Sequence, residues 1–156
     1  MKDTSGPCKD TYKCAFATAV LCTFWMAAAA FLGLPGWAGF AGCTAYFAAP
    51  WKGAENLPKT FACVGSGILY AVLSLALAQL IPGQAVGLFM TFLTTFLMCA
   101  AGNSRFLKFV PGAFIGSFST FAAKGDIKAA AAILLGILLG YACDMFGKFL
   151  CRVKKE

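Results

Sequence analysis

Apolar residues fill this chain in long blocks separated by short polar stretches, and the lengths of the blocks carry most of the information. Residues 14–34, 60–81, 84–101 and 129–150 are apolar runs of about 18–22 positions, long enough as helices to cross a hydrocarbon core of roughly 30 Å. Two further blocks, 37–49 and 110–123, reach only about 20 Å as helices. The breaks between them are polar: residues 1–13, a loop holding Lys52, Glu55 and Lys59, the turn Pro82-Gly83, a loop with Arg105 and Lys108, the stretch Lys124 to Lys128, and the basic end with Arg152, Lys154 and Lys155. The order is long, short, long, then long, short, long. The pattern predicts an all-α, polytopic membrane protein of six transmembrane segments, arranged as two inverted three-helix repeats.

The repeat is supported by the short blocks themselves. At an offset of 74 residues, Phe40 falls on Phe114, Gly42 on Gly116, Cys43 on Ser117, Ala45 on Ser119, Phe47 on Phe121 and Ala48 on Ala122. Each copy is introduced by Pro-Gly (Pro35-Gly36 and Pro111-Gly112), which suits a helix start because the first turn has no use for the missing N–H. The expected organisation is a polar cytoplasmic N-terminus (1–13), one bundle (14–150, with repeat one at 14–82 and repeat two at 83–150) and a basic cytoplasmic tail (151–156). The first run exceeds the 7–15 apolar residues of a signal peptide, so it is expected to be retained as a span.

Charge decides whether the short blocks cross. With six crossings and both termini inside, eleven basic residues lie on the inner side and only Lys124 and Lys128 on the outer side. Re-entrant short blocks would divide them almost evenly. The positive-inside rule selects six crossings. Three crossings per half invert the second half relative to the first, an arrangement that puts a functional site at the repeat interface near mid-membrane.

Composition agrees with a membrane protein: 60% of residues are hydrophobic and 12% charged, against about 25% charged in soluble domains. The net charge of +7 sits in clusters between apolar runs, where it sets topology and meets anionic headgroups. No nucleic-acid partner is expected, because there is no basic soluble face. Of the eight cysteines, those at 14, 22, 43, 63, 99 and 143 lie in apolar runs and are read as small hydrophobes. With no Cys-x-x-Cys pair and no histidine, neither a metal site nor a cofactor is expected.

Candidate chemistry concentrates in the short blocks. Cys43, Thr44, Tyr46, Ser117, Ser119 and Thr120 offer uncharged hydrogen-bonding groups that could line a path, or could bond back to their own helices. Phe40, Phe47, Phe114, Phe118 and Phe121 could form a constriction or simply pack. Thr91, Thr94 and Thr95 share one face of the fourth block. Ala132, Gly136 and Gly140 form a small-residue face for close helix packing, within the chain or between copies. Asp144, the one acid inside an apolar run, has Lys148 one turn later, and an interfacial ion pair is expected.

The runs Trp-Ala-Gly-Phe-Ala-Gly-Cys-Thr-Ala-Tyr-Phe-Ala at 37–48 and Phe-Val-Pro-Gly-Ala-Phe-Ile-Gly at 109–116, continuing through Thr120-Phe121-Ala122 and Gly125-Asp126, resemble a known family. The chain looks like the YcdZ-like bacterial inner-membrane proteins, built on a domain of unknown function. That resemblance implies a bacterial inner-membrane location and brings no catalytic residues. Over five residues, Ser117-Phe118-Ser119-Thr120-Phe121 is also similar to the Thr-Phe-Ser-Thr-Phe run of small fluoride channels. The expected function is a passive channel or facilitator for a small polar solute, urea-like, a short amide, a weak acid or a small anion. The competing class is a non-transporting membrane partner or assembly protein, with a fluoride-type channel as a narrower alternative. An enzyme is not expected, since no nucleophile–base pair or phosphate loop is present. The implied partners are the lipid bilayer, the solute and further copies of the chain.

Overall fold

In the computed structural model, which describes residues 11–81 and 83–152, every apolar block forms a helix. The polar positions 1–10, Pro82 of the expected turn and the end of the tail at 153–156 lie outside the described residues. The helices are α1 (Thr11–Leu32), α2 (Gly36–Ala48), α3 (Asn56–Leu80), α4 (Gln84–Ala101), α5 (Val110–Ala122) and α6 (Ile127–Arg152), with one 3-10 turn at Gly53–Glu55. Among the described residues there is no strand. By length and composition α1, α3, α4 and α6 can each cross a membrane. The two short helices have 13 residues each.

One boundary departs clearly from the expectation. The charges at Lys52, Glu55 and Lys59 place 51–59 in a polar loop on sequence grounds, yet α3 already starts at Asn56. Pro58 falls in the first turn, where its missing N–H costs no hydrogen bond, and Lys59 pairs with Glu55 one turn earlier. At the start of α6, the Lys128 amide donates to Asp126 Oδ1 at 2.9 Å, so Asp126 caps the helix.

Contacts along the helices give their directions. α1 and α6 run antiparallel: Lys13 Nζ donates to the Leu150 carbonyl at 3.3 Å, while Gly33 at the other end of α1 lies beside Lys128. α2 folds back along α1, with Gly36 against Met26 and Gly39 against Trp25, and the Trp25 indole donates to the Gly36 carbonyl at 2.9 Å. α3 and α5 run the same way: Cys63 reaches the Phe106 carbonyl just before α5, and Leu75 lies beside Gly125 just after it. One end of the bundle therefore gathers Lys13, Lys52, Lys59, Arg105, Lys108 and Lys148, and the other end holds Lys124 and Lys128. At the basic end, the Trp51 and Phe109 rings meet edge-on at 6.2 Å.

The core is two helix crossings. α2 packs chiefly on α6, and α5 packs chiefly on α3; α4 touches only α3 and α5 among the described residues. In the first crossing, a Cβ on Gly42 would overlap the Ile133 carbonyl, and one on Gly136 would overlap the Gly39 carbonyl. In the second, Gly116 meets the Val64 carbonyl and Gly67 meets the Ala113 carbonyl in the same way. The two sets correspond residue by residue, at an offset of 74 between α2 and α5 and 69 between α3 and α6. Glycine is required at these four positions because backbone lies against backbone.

Cys14 was expected to behave as a small hydrophobe, and that reading is corrected. Cys14 and Cys151 are disulfide-bonded, at the ends of α1 and α6 that the antiparallel packing brings together. Residues so far apart in the chain give no spacing from which such a bond could be read.

Candidate functional site

The short helix α2 divides into two faces. Ala38, Gly39, Gly42, Cys43, Ala45 and Tyr46 are buried, following the helical period. Trp37, Phe40, Thr44 and Phe47 point outward. α5 divides in the same manner. Ser117, Ser119 and Thr120 are buried, and Phe114, Phe118 and Phe121 face out. The candidate phenyl and hydroxyl groups of α5 thus occupy opposite faces; Phe118 is 56% exposed and Ser119 0%. A fluoride-type path, which would use both groups together, gains no support from this arrangement.

Tyr46 anchors a polar network where α2, α3 and α6 meet. Its carbonyl accepts from Asn56 Nδ2 at 3.2 Å, and Asn56 Oδ1 accepts from Thr60 Oγ1 at 3.0 Å. The Tyr46 hydroxyl points at Asp144 Oδ2 at 3.4 Å, long for an O–H···O bond. Asp144 Oδ2 also pairs with Lys148 Nζ at 2.7 Å, which is the ion pair expected from their spacing. Gly140 provides the room, because a Cβ there would press on the Tyr46 ring.

Toward the middle of α2, three helices bring thiols together. Cys22 of α1, Cys43 of α2 and Cys143 of α6 have their sulfur atoms within 4.8 Å of one another. Cys43 and Cys143 are buried and Cys22 is half-buried. Beside them a groove of about 500 Å³ opens between α1 and α2, lined by Thr18, Cys22, Phe40, Cys43, Thr44, Phe47 and Ala48. Four candidates from the first short block (Phe40, Cys43, Thr44 and Phe47) therefore share one concave surface.

The remaining candidates are placed differently. Thr120 bonds back to the Gly116 carbonyl at 2.8 Å, and the buried Ser119 Oγ has no hydrogen-bond partner. On α4, Thr94 is buried and bonds to the Met90 carbonyl at 2.7 Å. Thr91 and Thr95 are exposed, with Thr91 bonded back to Gly87. None of the three approaches the groove. Ala132, Gly136 and Gly140 face α2 inside the chain, where Gly136 meets Gly39 and Gly140 meets Tyr46. Asn56, Thr60, Cys22 and Cys143 were not singled out from sequence. Asn56 and Thr60 carried one usable signal, an i, i+4 polar pair at the head of an apolar run. The thiols carried none, since each sits alone in its own helix.

Residues 15–148 match the family model described as "Protein of unknown function (DUF1097)". The chain belongs to this family. Its relatives include the inner membrane protein YcdZ of Escherichia coli strain K12, 40% identical over 138 residues that cover 87% of this chain and 85% of the relative. The inner membrane protein YcdZ of Salmonella typhimurium strain LT2 is 37% identical over 144 residues, covering 91% and 90%. No solved structure matches the chain. As a DUF1097 member with four helices apolar enough to span, the chain is a bacterial inner-membrane protein.

Proposed function

We propose that the chain crosses the inner membrane six times, as two inverted halves of three helices, and acts as a passive facilitator for a small polar solute: urea-like, a short amide, a weak acid or a small anion. The matched glycine crossings support the two halves, because the same backbone contacts recur at constant offsets. The charge asymmetry between the two ends supports termini on the cytoplasmic side. The bonded Cys14 and Cys151 pull the other way, since disulfides belong to oxidising compartments. Six basic side chains at that end outweigh one such feature.

The groove is the observation that carries the permeation reading. It combines two phenyl rings, two hydroxyls and two thiols without a formal charge, which suits a neutral or weakly charged solute. It flanks a helix of about 20 Å, shorter than the hydrocarbon core, so water reaches toward it from the ends of α2. Because it opens on the side of the bundle, a second copy of the chain walls it off from lipid, and the working form is a homo-oligomer. The competing reading, a non-transporting partner protein, loses its best surface, because the Ala132, Gly136 and Gly140 row is spent inside the chain. An enzyme is disfavoured by the paired state of Asp144, and the basic ends meet headgroups, not nucleic acid.

Proteoliposomes test the function. Swelling driven by urea, acetamide or a small anion should exceed that of empty vesicles for at least one solute. No excess for any of them, with a stoichiometric second protein co-purifying from the membrane, would favour the partner protein instead. Cytoplasm-active reporters fused at Gly53, Asp126 and Glu156 test the topology: signal is expected at the first and last positions only, and signal at Asp126 with none at Gly53 overturns it.

A further inference from the structure

We propose that Cys22, Cys43 and Cys143 form a binding site for one soft d10 metal ion, Cu(I), at the junction of α1, α2 and α6. The proposal goes beyond the permeation reading and stands or falls independently of it. Three helices each contribute one thiol, and the three sulfur atoms already lie within 4.8 Å of one another. Metal–sulfur bonds of about 2.3 Å place the sulfurs of a trigonal site roughly 4 Å apart, so little movement closes the set. The helices that carry them are pinned close by, α2 on α6 by the Gly42 and Gly136 contacts and α1 on α2 by Trp25 at Gly39. The ligands are therefore presented by rigid elements, the arrangement that holds metal geometry best.

Ligand chemistry selects the ion. Thiolates favour Cu(I) and Zn(II) over the hard cations that take oxygen. Zn(II) in closed sites takes four ligands, and among the described residues no carboxylate or fourth cysteine belongs to this cluster. The nearby Thr18 hydroxyl, which donates to the Cys14 carbonyl at 2.9 Å, is a neutral oxygen ligand and a poor match for a soft ion. Three sulfurs without a fourth ligand suit the low coordination that Cu(I) accepts. Each sulfur that binds the ion gives up its S–H proton to water, so uptake releases one proton per metal–sulfur bond formed, with no change in oxidation state. The groove bordering Cys22 and Cys43 supplies the entry route.

The cluster is not a demand of the fold. At the offsets that match the two crossings, Cys43 corresponds to Ser117 and Cys143 to Ser74, and both serines are buried. The same scaffold thus packs with hydroxyls in place of thiols.

Full-length protein, purified in detergent with reductant, would be titrated with Cu(I) against a chromogenic Cu(I) chelator, with Zn(II) in parallel. One Cu(I) per chain is expected, held more tightly than Zn(II). Loss of an outer partner alone costs a metal site roughly 10–100-fold, so Cys22→Ser, Cys43→Ala and Cys143→Ala should each weaken binding at least about tenfold. Cys63→Ala and Cys99→Ser should leave it unchanged. Should a variant fail to fold, thiol alkylation of the wild-type protein read by mass spectrometry still decides: Cu(I) should slow alkylation of the half-buried Cys22 relative to the metal-free protein and leave the exposed Cys99 as reactive as before. Binding undiminished in the three variants, protection elsewhere, or a preference for Zn(II) would overturn the assignment.

Discussion

The α2–α6 and α3–α5 crossings share a backbone plan and carry different chemistry. Both place glycine against a carbonyl at matched positions, Gly42 with Gly116 and Gly136 with Gly67. At those same offsets Tyr46, with its partners Asn56 and Asp144, corresponds to Thr120, whose hydroxyl bonds back to its own helix and whose carbonyl accepts only from the Gly125 amide just beyond it. Cys43 corresponds to Ser117, and the fully buried Ala45 to the equally buried Ser119. What the halves share marks the scaffold; what they do not share marks where one half has become specialised. The network, the thiols and the groove all border α2, so the proposed function assigns the working side to the first crossing.

The largest predicted effect falls on both halves alike. Gly42→Leu and Gly116→Leu should each destabilise the protein by more than about 3 kcal/mol, because the new side chain meets backbone that cannot yield. Folded yield and thermal unfolding in detergent measure this, and a large loss in one half with tolerance in the other would break the equivalence. Next comes Asn56→Ala, expected to cost about 2 kcal/mol by stranding the Tyr46 carbonyl and the Thr60 hydroxyl in a buried setting. Thr120→Val, at the position that corresponds to Tyr46, should cost well under half as much, since only the hydroxyl's bond within one helix is lost.

The helix positions were legible in the chain, and the reason is lipid. Apolar blocks must be helical in a bilayer, so 84–101 was delimited without error and 110–123 to within one residue. The Asp144–Lys148 pair was legible too, because it depends only on a one-turn spacing. The inward and outward faces of α2 and α5 were harder, since phenyls facing lipid and phenyls facing a core give the same apolar signal. Contacts between distant helices left no trace at all: Cys22, Cys43 and Cys143, or Tyr46 and Asn56, meet only once three helices have packed.

Smaller effects sharpen the contrast. Asp144→Asn should cost about 1 kcal/mol or less, because Lys148 can extend to the interface once its partner is neutral. Solute flux should keep its pH dependence; a loss of that dependence at normal expression would show ion coupling at Asp144. Ser119→Ala should be neutral or slightly stabilising, since the hydroxyl has no partner to lose. A drop in unfolding temperature would reveal a bond that the packing conceals.

The most direct test sets the two halves against each other in one assay. Phe47 lines the groove, and Phe121 holds the corresponding place on α5, 39% exposed. Solute-driven swelling of proteoliposomes carrying Phe47→Ala, Phe121→Ala or the wild-type chain at matched density separates their roles. Phe47→Ala should change the rate several-fold while Phe121→Ala leaves it at the wild-type value. Equal effects from the two substitutions, or an effect from Phe121→Ala alone, would contradict the assignment of the working side to α2.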